Sequence, residues 1–112
     1  MINENIAVVG AGSWGTALAL HLSKKFKNIS LWVYENDLCE IIRRERENKW
    51  FLSGFAIPQN ITPESSLESA VKNKSLVLIA VPTPALRRIA NNLKTFDELI
   101  LTLSKLTSKK LL

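Results

Sequence analysis

Residues 6–15 read IAVVGAGSWG, an apolar run that leads directly into the glycine pattern G-x-G-x-x-G. The apolar run predicts a buried strand, and the apolar spacing beyond the glycines predicts a helix over residues 16–26. In such a turn Gly10 permits the sharp bend, Gly12 lets the backbone approach a pyrophosphate, and Gly15 lets the helix pack closely on the strand. Because free N–H groups at a helix start attract phosphate, the stretch predicts a dinucleotide-binding turn. The alternative is an ordinary glycine turn.

The rest of the chain continues to alternate between strands and helices. Further strands are predicted at residues 29–34, 76–81 and 99–103, and further helices at residues 37–47, 65–73 and 84–93. Ser65 and Glu68 have the spacing of a capping box, and residues 48–63, which contain a glycine and two prolines, are expected to be irregular. Since the helices supply the crossovers that parallel strands need, this order predicts a single α/β domain with a doubly wound parallel sheet.

Composition excludes several classes of protein. With 46% hydrophobic and 22% charged residues, the chain has the balance of a folded globular protein rather than a disordered one. A single cysteine, Cys39, excludes a disulfide scaffold, and no cluster of histidine and cysteine suggests a metal site. Apolar runs are much shorter than the roughly 20 residues of a membrane-spanning helix. The N-terminus does not resemble a secretory signal, so a cytoplasmic location is expected.

The net charge of +5 allows for a polyanionic partner, but the basic residues are spread along the whole chain. Several of them have acidic neighbours, which is typical of solvated helix faces. We therefore expect no nucleic-acid partner.

Two acidic residues follow the predicted second strand. Glu35 lies 20 residues after Gly15, where dinucleotide folds place an acid that binds the ribose hydroxyls, and Asp37 is close behind. Either carboxylate would favour NAD over NADP by repelling a 2′-phosphate. Alternatively, both are acids at the start of a helix, where the helix dipole favours them. The sequence does not choose between these interpretations.

Four blocks of sequence, taken in order, resemble the NAD(P)-dependent sn-glycerol-3-phosphate dehydrogenase family. Residues 10–20 resemble its opening turn and helix, and residues 31–35 (LWVYE) resemble its second strand. Residues 46–61 are similar to its loop R-x-N-x-x-[YF]-L-P-G-x-x-L-P-x-N-I, and residues 80–83 (AVPT) to a later strand end. The loop block is the most specific of the four, because few other dinucleotide folds share it. The resemblance covers nearly all of residues 5–105 and implies a Rossmann-like fold that binds NAD or NADP.

The resemblance also implies roles for single residues. Ser13 and Trp14 would contact the cofactor just inside the glycine turn, and Tyr34 would lie beside its adenosine half. Pro82 would contact the cofactor at the carboxyl edge of the sheet. Lys105 matches a lysine that contacts both the cofactor and the phosphorylated substrate, where a cation would neutralise negative charge. The alternatives are core packing for Trp14 and a solubilising tail lysine for Lys105.

The chain departs from the family after Lys105, where Leu106 replaces a glycine. We therefore expect a cofactor-binding domain at residues 1–105 and a divergent lysine-rich tail at residues 106–112. The family has a second, helical domain that carries its general acid/base lysine. None of that domain is present here, so no catalytic residue is assigned.

The complete enzyme would interconvert sn-glycerol 3-phosphate and glycerone phosphate. The 112-residue chain is expected to be inactive by itself. It is either a fragment of that oxidoreductase or a non-catalytic, dinucleotide-binding remnant of a broken gene. In both cases an apolar surface near residues 82–105 would lack its neighbour, so a homodimer or other self-association is expected.

Overall fold

The structure, a computed structural model, describes residues 2–81 and 100–102. In chain order its elements are β1 (Ile2–Val9), α1 (Ser13–Leu22), β2 (Phe26–Trp32), α2 (Asn36–Glu45), β3 (Ile61–Glu64), α3 (Leu67–Val71), β4 (Leu76–Ile79) and β5 (Ile100–Thr102). The strands form one sheet in the order β3-β2-β1-β4-β5, and every neighbouring pair is parallel. This arrangement confirms the predicted parallel α/β fold.

The order of the strands reverses at β1. From this central strand the chain moves outward through β2 to β3, then returns to the other side of β1 to form β4. In open α/β sheets, ligands bind in the crevice at such a reversal, outside the carboxyl ends of the strands. The topology therefore directs attention to the end of β1, where the glycine turn begins.

Both faces of the sheet are covered, as expected for a doubly wound fold. Ile6 and Val8 of β1 belong to a core that includes Leu38 and Ile42 of α2, together with Ala19 of α1. The alternate β1 residues, Ala7 and Val9, belong to a second core with Ala70 and Val71 of α3. A strand buried on both faces must be apolar throughout, which explains the uninterrupted run at the start of the glycine turn. None of the helices among the described residues has the length and apolar character needed to cross a membrane.

The first helix is shorter at its C-terminus than the apolar spacing predicts. It ends at Leu22, and the amides of Lys24 and Lys25 bond to the His21 and Leu22 carbonyls as the chain turns away. Phe26, expected on the helix, instead begins β2 and packs against the core beneath α1. Phe26 fits the apolar spacing of the helix, but in the structure its side chain packs against the same core from a strand. Apolar spacing alone therefore assigned Phe26 to the wrong element.

The expectation that residues 48–63 are irregular is wrong at its end, where β3 pairs with β2. A proline such as Pro63 is unfavourable in most strands because it has no N–H to donate to a neighbouring strand. In the structure Pro63 lies opposite Leu31 on an edge strand, a position where proline is tolerated. Its carbonyl oxygen still accepts a bond of 3.0 Å from the Arg43 guanidinium.

The start of α3 also differs from the predicted capping box. Ser66 is the N-cap, and its hydroxyl oxygen accepts from the Ser69 amide at 3.2 Å. Ser65 lies one residue outside, where its carbonyl oxygen accepts from Trp32 Nε1 at 3.2 Å. The other described elements are present with ends that shift by a few residues, and the predicted helix at 84–93 lies outside the described residues.

Candidate functional site

The glycine turn is packed so tightly that two of its positions exclude a side chain. Gly10 has φ +119°, and a Cβ there would lie 2.5 Å from the Ala80 carbonyl oxygen at the end of β4. A Cβ on Gly15 would overlap the Gly10 carbonyl oxygen. Hydrogen bonds from Gly10 N to the Trp32 carbonyl (3.2 Å) and from Ala80 N to the Val9 carbonyl (2.9 Å) join this point to both neighbouring strands. The turn therefore occupies the reversal point of the sheet.

Gly12 differs from the other two glycines because the space beside it is open. Among the residues that the structure describes, no atom outside the two chain neighbours lies within 4 Å of the position that a Cβ would occupy there. Gly12 is the N-cap of α1, and its carbonyl oxygen accepts the first helical bond, from Thr16 N at 3.0 Å. The first turn of α1 contains no acidic side chain. The positive end of the helix dipole therefore faces open space, an arrangement suited to an anion.

Two buried side chains hold the turn from inside. The Ala11 carbonyl oxygen accepts hydrogen bonds from Asn48 Nδ2 at 2.8 Å and from Thr16 Oγ1 at 3.3 Å. Asn48 Nδ2 also donates to Thr16 Oγ1 at 2.8 Å, and Asn48 Oδ1 accepts from the Phe51 amide at 3.1 Å. Asn48 is 0% exposed and Thr16 is 1% exposed.

Sequence reasoning did not identify this anchor. The one feature of the sequence that marks Asn48 is its place in the loop block that resembles the dehydrogenase family. That resemblance does not predict which residue the Asn48 amide contacts.

The loop that carries Asn48 is itself held by Arg46. Arg46 ends α2 in the left-handed conformation (φ 54°), so its side chain turns back over the loop. Its guanidinium donates to the carbonyl oxygens of Ile57 (3.2 Å), Pro58 (2.6 Å) and Ile61 (2.6 Å). Burial lowers the pKa of Arg46 below its usual range, although the three carbonyl dipoles satisfy the charge. The loop is thus closed on itself at its base.

The end of β2 lies beside the glycine turn. Tyr34 is 69% exposed, and its ring packs edge to face against Trp32 with the centroids 5.8 Å apart. Glu35 is the N-cap residue of α2, yet its side chain makes no capping hydrogen bond. Asp37 lies in the first turn of the same helix. Only Asp37 thus lies within the turn where the helix dipole acts, while the Glu35 carboxylate has no capping role.

The remaining site residues from the sequence divide into two groups. Ser13 and Trp14 lie on the first turn of α1 and are exposed, Trp14 by 42%. That exposure argues against core packing as the role of Trp14. Pro82 and Lys105 lie outside the described residues. Within the described part of the chain, no group of histidine, cysteine and acidic residues could hold a metal ion.

Comparison with known proteins gives a consistent result. Residues 5–107 match the family model described as NAD-dependent glycerol-3-phosphate dehydrogenase N-terminus. A glycerol-3-phosphate dehydrogenase [NAD(P)+] of Moorella thermoacetica is 43% identical over 95 residues, which cover 85% of this chain and 28% of that protein. The corresponding protein of a Thermoanaerobacter species is 45% identical over 89 residues, which cover 80% and 27% of the two chains.

Solved structures agree with the sequence comparison. The crystal structure of glycerol-3-phosphate dehydrogenase from Coxiella burnetii superposes with a TM-score of 0.78 and 33% identity, covering 88% of this chain and 30% of that one. The chain thus spans less than a third of the length of the relatives it matches. It belongs to the NAD-dependent glycerol-3-phosphate dehydrogenase family and corresponds to the N-terminal domain of that family.

Proposed function

We propose that this chain binds the dinucleotide NAD or NADP at the glycine turn, as the cofactor-binding part of a glycerol-3-phosphate dehydrogenase. The observation that carries the proposal is the contrast among the glycines. Gly10 and Gly15 are filled in by neighbouring backbone, whereas Gly12 opens onto free space in front of a helix N-terminus. A pyrophosphate fits this arrangement, because the backbone can approach it closely and the helix dipole favours its charge.

The other proposed contacts extend from the turn in both directions. Ser13 and Trp14 would contact the cofactor from the first turn of α1, where both are exposed. On the side of β2, Tyr34 offers an exposed ring to the adenosine half, and Glu35 offers a carboxylate to the ribose hydroxyls. By family resemblance, Pro82 and Lys105 would complete the site.

The proposed reaction of the complete enzyme interconverts sn-glycerol 3-phosphate and glycerone phosphate. When bound, the cofactor would supply the hydride to glycerone phosphate in one direction and accept it from sn-glycerol 3-phosphate in the other. In this chain, the turn and the end of β2 hold and orient the cofactor, and Lys105 would neutralise charge on the phosphorylated substrate. The family's general acid/base lysine belongs to a helical domain that these 112 residues do not include, so we expect no turnover from the chain alone. We further propose that residues 1–105 form the cofactor-binding unit, with 106–112 as a tail.

Titration with NADH and NADPH tests the proposal. Trp14 lies on the first turn of α1, so its fluorescence should be quenched as either cofactor binds, and ADP-ribose should reverse the quenching by competition. A matched titration of Trp14→Phe separates this signal from those of Trp32 and Trp50. If a folded sample gives no response to cofactor at millimolar concentration, the proposal is wrong.

A further inference from the structure

We infer that Asn48 is a positioning residue that aims the glycine turn at the pyrophosphate. The inference rests on the proposed binding of a dinucleotide at this turn. Its starting point is the Ala11 carbonyl, which accepts hydrogen bonds from both Asn48 Nδ2 and Thr16 Oγ1. Both donors are buried, so the carbonyl is directed toward the interior of the protein.

The direction of this carbonyl fixes the direction of the next amide. In a trans peptide the C=O and the following N–H point in opposite directions, and the chain contains no cis peptide among its described residues. With the Ala11 oxygen held inward by Asn48, the Gly12 N–H must point away from the core. Among the described residues, the position that a Cβ on Gly12 would occupy is also open, so a ligand can approach this part of the turn. Asn48 thus sets the orientation of the Gly12 N–H, a donor in the turn proposed to bind the pyrophosphate.

Asn48 is well suited to this task because its amide is fully engaged. Both Nδ2 hydrogens have acceptors, Ala11 O and Thr16 Oγ1, and Oδ1 accepts from Phe51 N. A buried amide with three partners has one orientation, so the peptide that it holds has one orientation too. Arg46 closes the base of the same loop through three carbonyl oxygens, which keeps Asn48 in place. The binding turn is therefore preorganised, and the cofactor does not have to order it.

The chain provides a matched control in Asn60, at the other end of the same loop. Asn60 Nδ2 donates to the carbonyl oxygens of Ser23 (2.9 Å) and Phe26 (3.0 Å), so it also ties the loop to the region of α1 through two bonds. It does so at the C-terminal end of α1, away from the glycine turn. Asn48→Ala and Asn60→Ala therefore each remove a side-chain bridge between the loop and the region of α1, but only the first removes a hydrogen bond from the Ala11 carbonyl.

The experiment measures dissociation constants for NADH and ADP-ribose with the 112-residue chain and both variants. We expect Asn48→Ala to raise both constants by about tenfold, the loss that follows when a hydrogen bond to a charged phosphate is misdirected. Asn60→Ala should leave both constants within about twofold of the parent values, even if its melting temperature falls as far as that of Asn48→Ala. ADP-ribose lacks the nicotinamide, so a matching loss for the two ligands locates the defect at the pyrophosphate and adenosine half.

A spectroscopic measurement distinguishes aiming from general loss of structure. The chain has four glycines, so their amide signals are readily resolved after 15N labelling. In the parent chain ADP-ribose should shift the Gly12 signal strongly, with Gly54 as the internal reference outside the turn. In Asn48→Ala at saturating ADP-ribose, the Gly12 shift should be much reduced.

If Asn48→Ala does not fold, a pair of variants at Thr16 replaces it. Thr16→Val keeps the buried shape but removes the hydroxyl, which is the second donor to Ala11 O. Thr16→Ser keeps the hydroxyl and should bind NADH more tightly than Thr16→Val. Equal affinities for this pair would overturn the inference. So would an Asn48→Ala variant that binds like the parent, or an Asn60→Ala variant weakened to the same extent. Failure of the parent chain to bind either ligand would instead refute the proposed function.

Discussion

At the scale of single residues, the glycines of the turn differ in what a side chain would meet at each position. Gly15 cannot accept a Cβ because the Gly10 carbonyl oxygen occupies its place, so the restriction serves packing. Gly12 has an ordinary φ of −71° and open space beside it, so no contact within the described residues requires glycine there. We therefore attribute the absence of a side chain at Gly12 to the proposed ligand rather than to packing within the described part of the chain.

This contrast gives a pair of opposite predictions. Gly15→Ala should lower the free energy of unfolding by about 3 kcal/mol, because α1 must move away from the turn. Gly12→Ala should lower stability by no more than about 1 kcal/mol, the cost of alanine at an N-cap, yet weaken NADH binding by tenfold or more because the methyl group meets the pyrophosphate. Urea denaturation and NADH titration of the two variants check both expectations. A Gly12→Ala variant that binds as well as the parent would contradict the proposed site.

Arg46 combines a strained backbone with a favourable side chain, and the two effects can be separated. Arg46→Ala removes the three bonds to carbonyl oxygens and keeps the positive φ, so it should lower stability by about 2 kcal/mol or more. Arg46→Gly loses the same bonds but relaxes the left-handed backbone, so it should be about 1 kcal/mol more stable than the alanine variant. Denaturant unfolding of both variants measures the difference. Equal stabilities would show that the backbone strain is negligible.

Cys39 is expected to be unreactive in the folded chain. Burial raises the pKa of its thiol, an effect that the nearby Arg43 only partly opposes. Since the thiolate is the reactive form and the side chain is enclosed, modification by a disulfide reagent at pH 8 should be at least about a hundredfold slower than in urea. Stopped-flow absorbance measures both rates. Equal rates would show that the core around Cys39 opens readily.

At the scale of elements, the sequence predicts those strands and turns whose signals are local. The second half of β1 (residues 6–9) and most of β4 are buried on both faces, so these residues form unbroken apolar runs, and the glycine turn follows from its own six residues. β3 gives no such signal because its residues alternate in exposure and one of them is Pro63. Only its pairing with β2 makes it a strand. The sequence does not predict the Asn48 anchor for a similar reason, since its hydrogen bond joins Asn48 to Ala11, two residues that are 37 positions apart.

The start of α2 carries the two acids whose roles the sequence left open. Glu35 makes no capping bond, whereas Asp37 lies within the first turn. We therefore expect Glu35→Gln to narrow the preference for NADH over NADPH by about tenfold, because one repulsive charge toward a 2′-phosphate is lost. Asp37→Asn should leave that ratio unchanged and lower stability by about 0.5 kcal/mol through the helix dipole. Paired titrations with both cofactors and urea unfolding separate the two roles, and a change of ratio in Asp37→Asn alone would reverse the assignment.

At the scale of the whole molecule, the parallel topology gathers the site from distant segments. The carboxyl ends of β1 and β2 lie side by side, so the glycine turn and Tyr34 meet at one edge although they are far apart in sequence. The loop closed by Arg46 reaches the same edge through Asn48. This loop also carries three exposed aromatic side chains, Trp50 (48%), Phe51 (44%) and Phe55 (56%). Exposed aromatic side chains on a small domain favour association with another apolar surface.

We therefore predict that the chain self-associates and that its charge limits the extent. The net charge of +5 makes two copies repel each other, and salt screens this repulsion. Raising the salt concentration from about 0.05 M to 0.5 M, which shortens the Debye length severalfold, should thus increase the weight-average mass in light scattering. The double variant Trp50→Ser/Phe55→Ser should reduce it at both concentrations, while Ile2→Ser, an exposed apolar residue at the opposite end of β1, serves as the control. A monodisperse monomer at high salt would contradict the prediction, and a mass that falls as salt rises would show that ionic contacts drive the association instead.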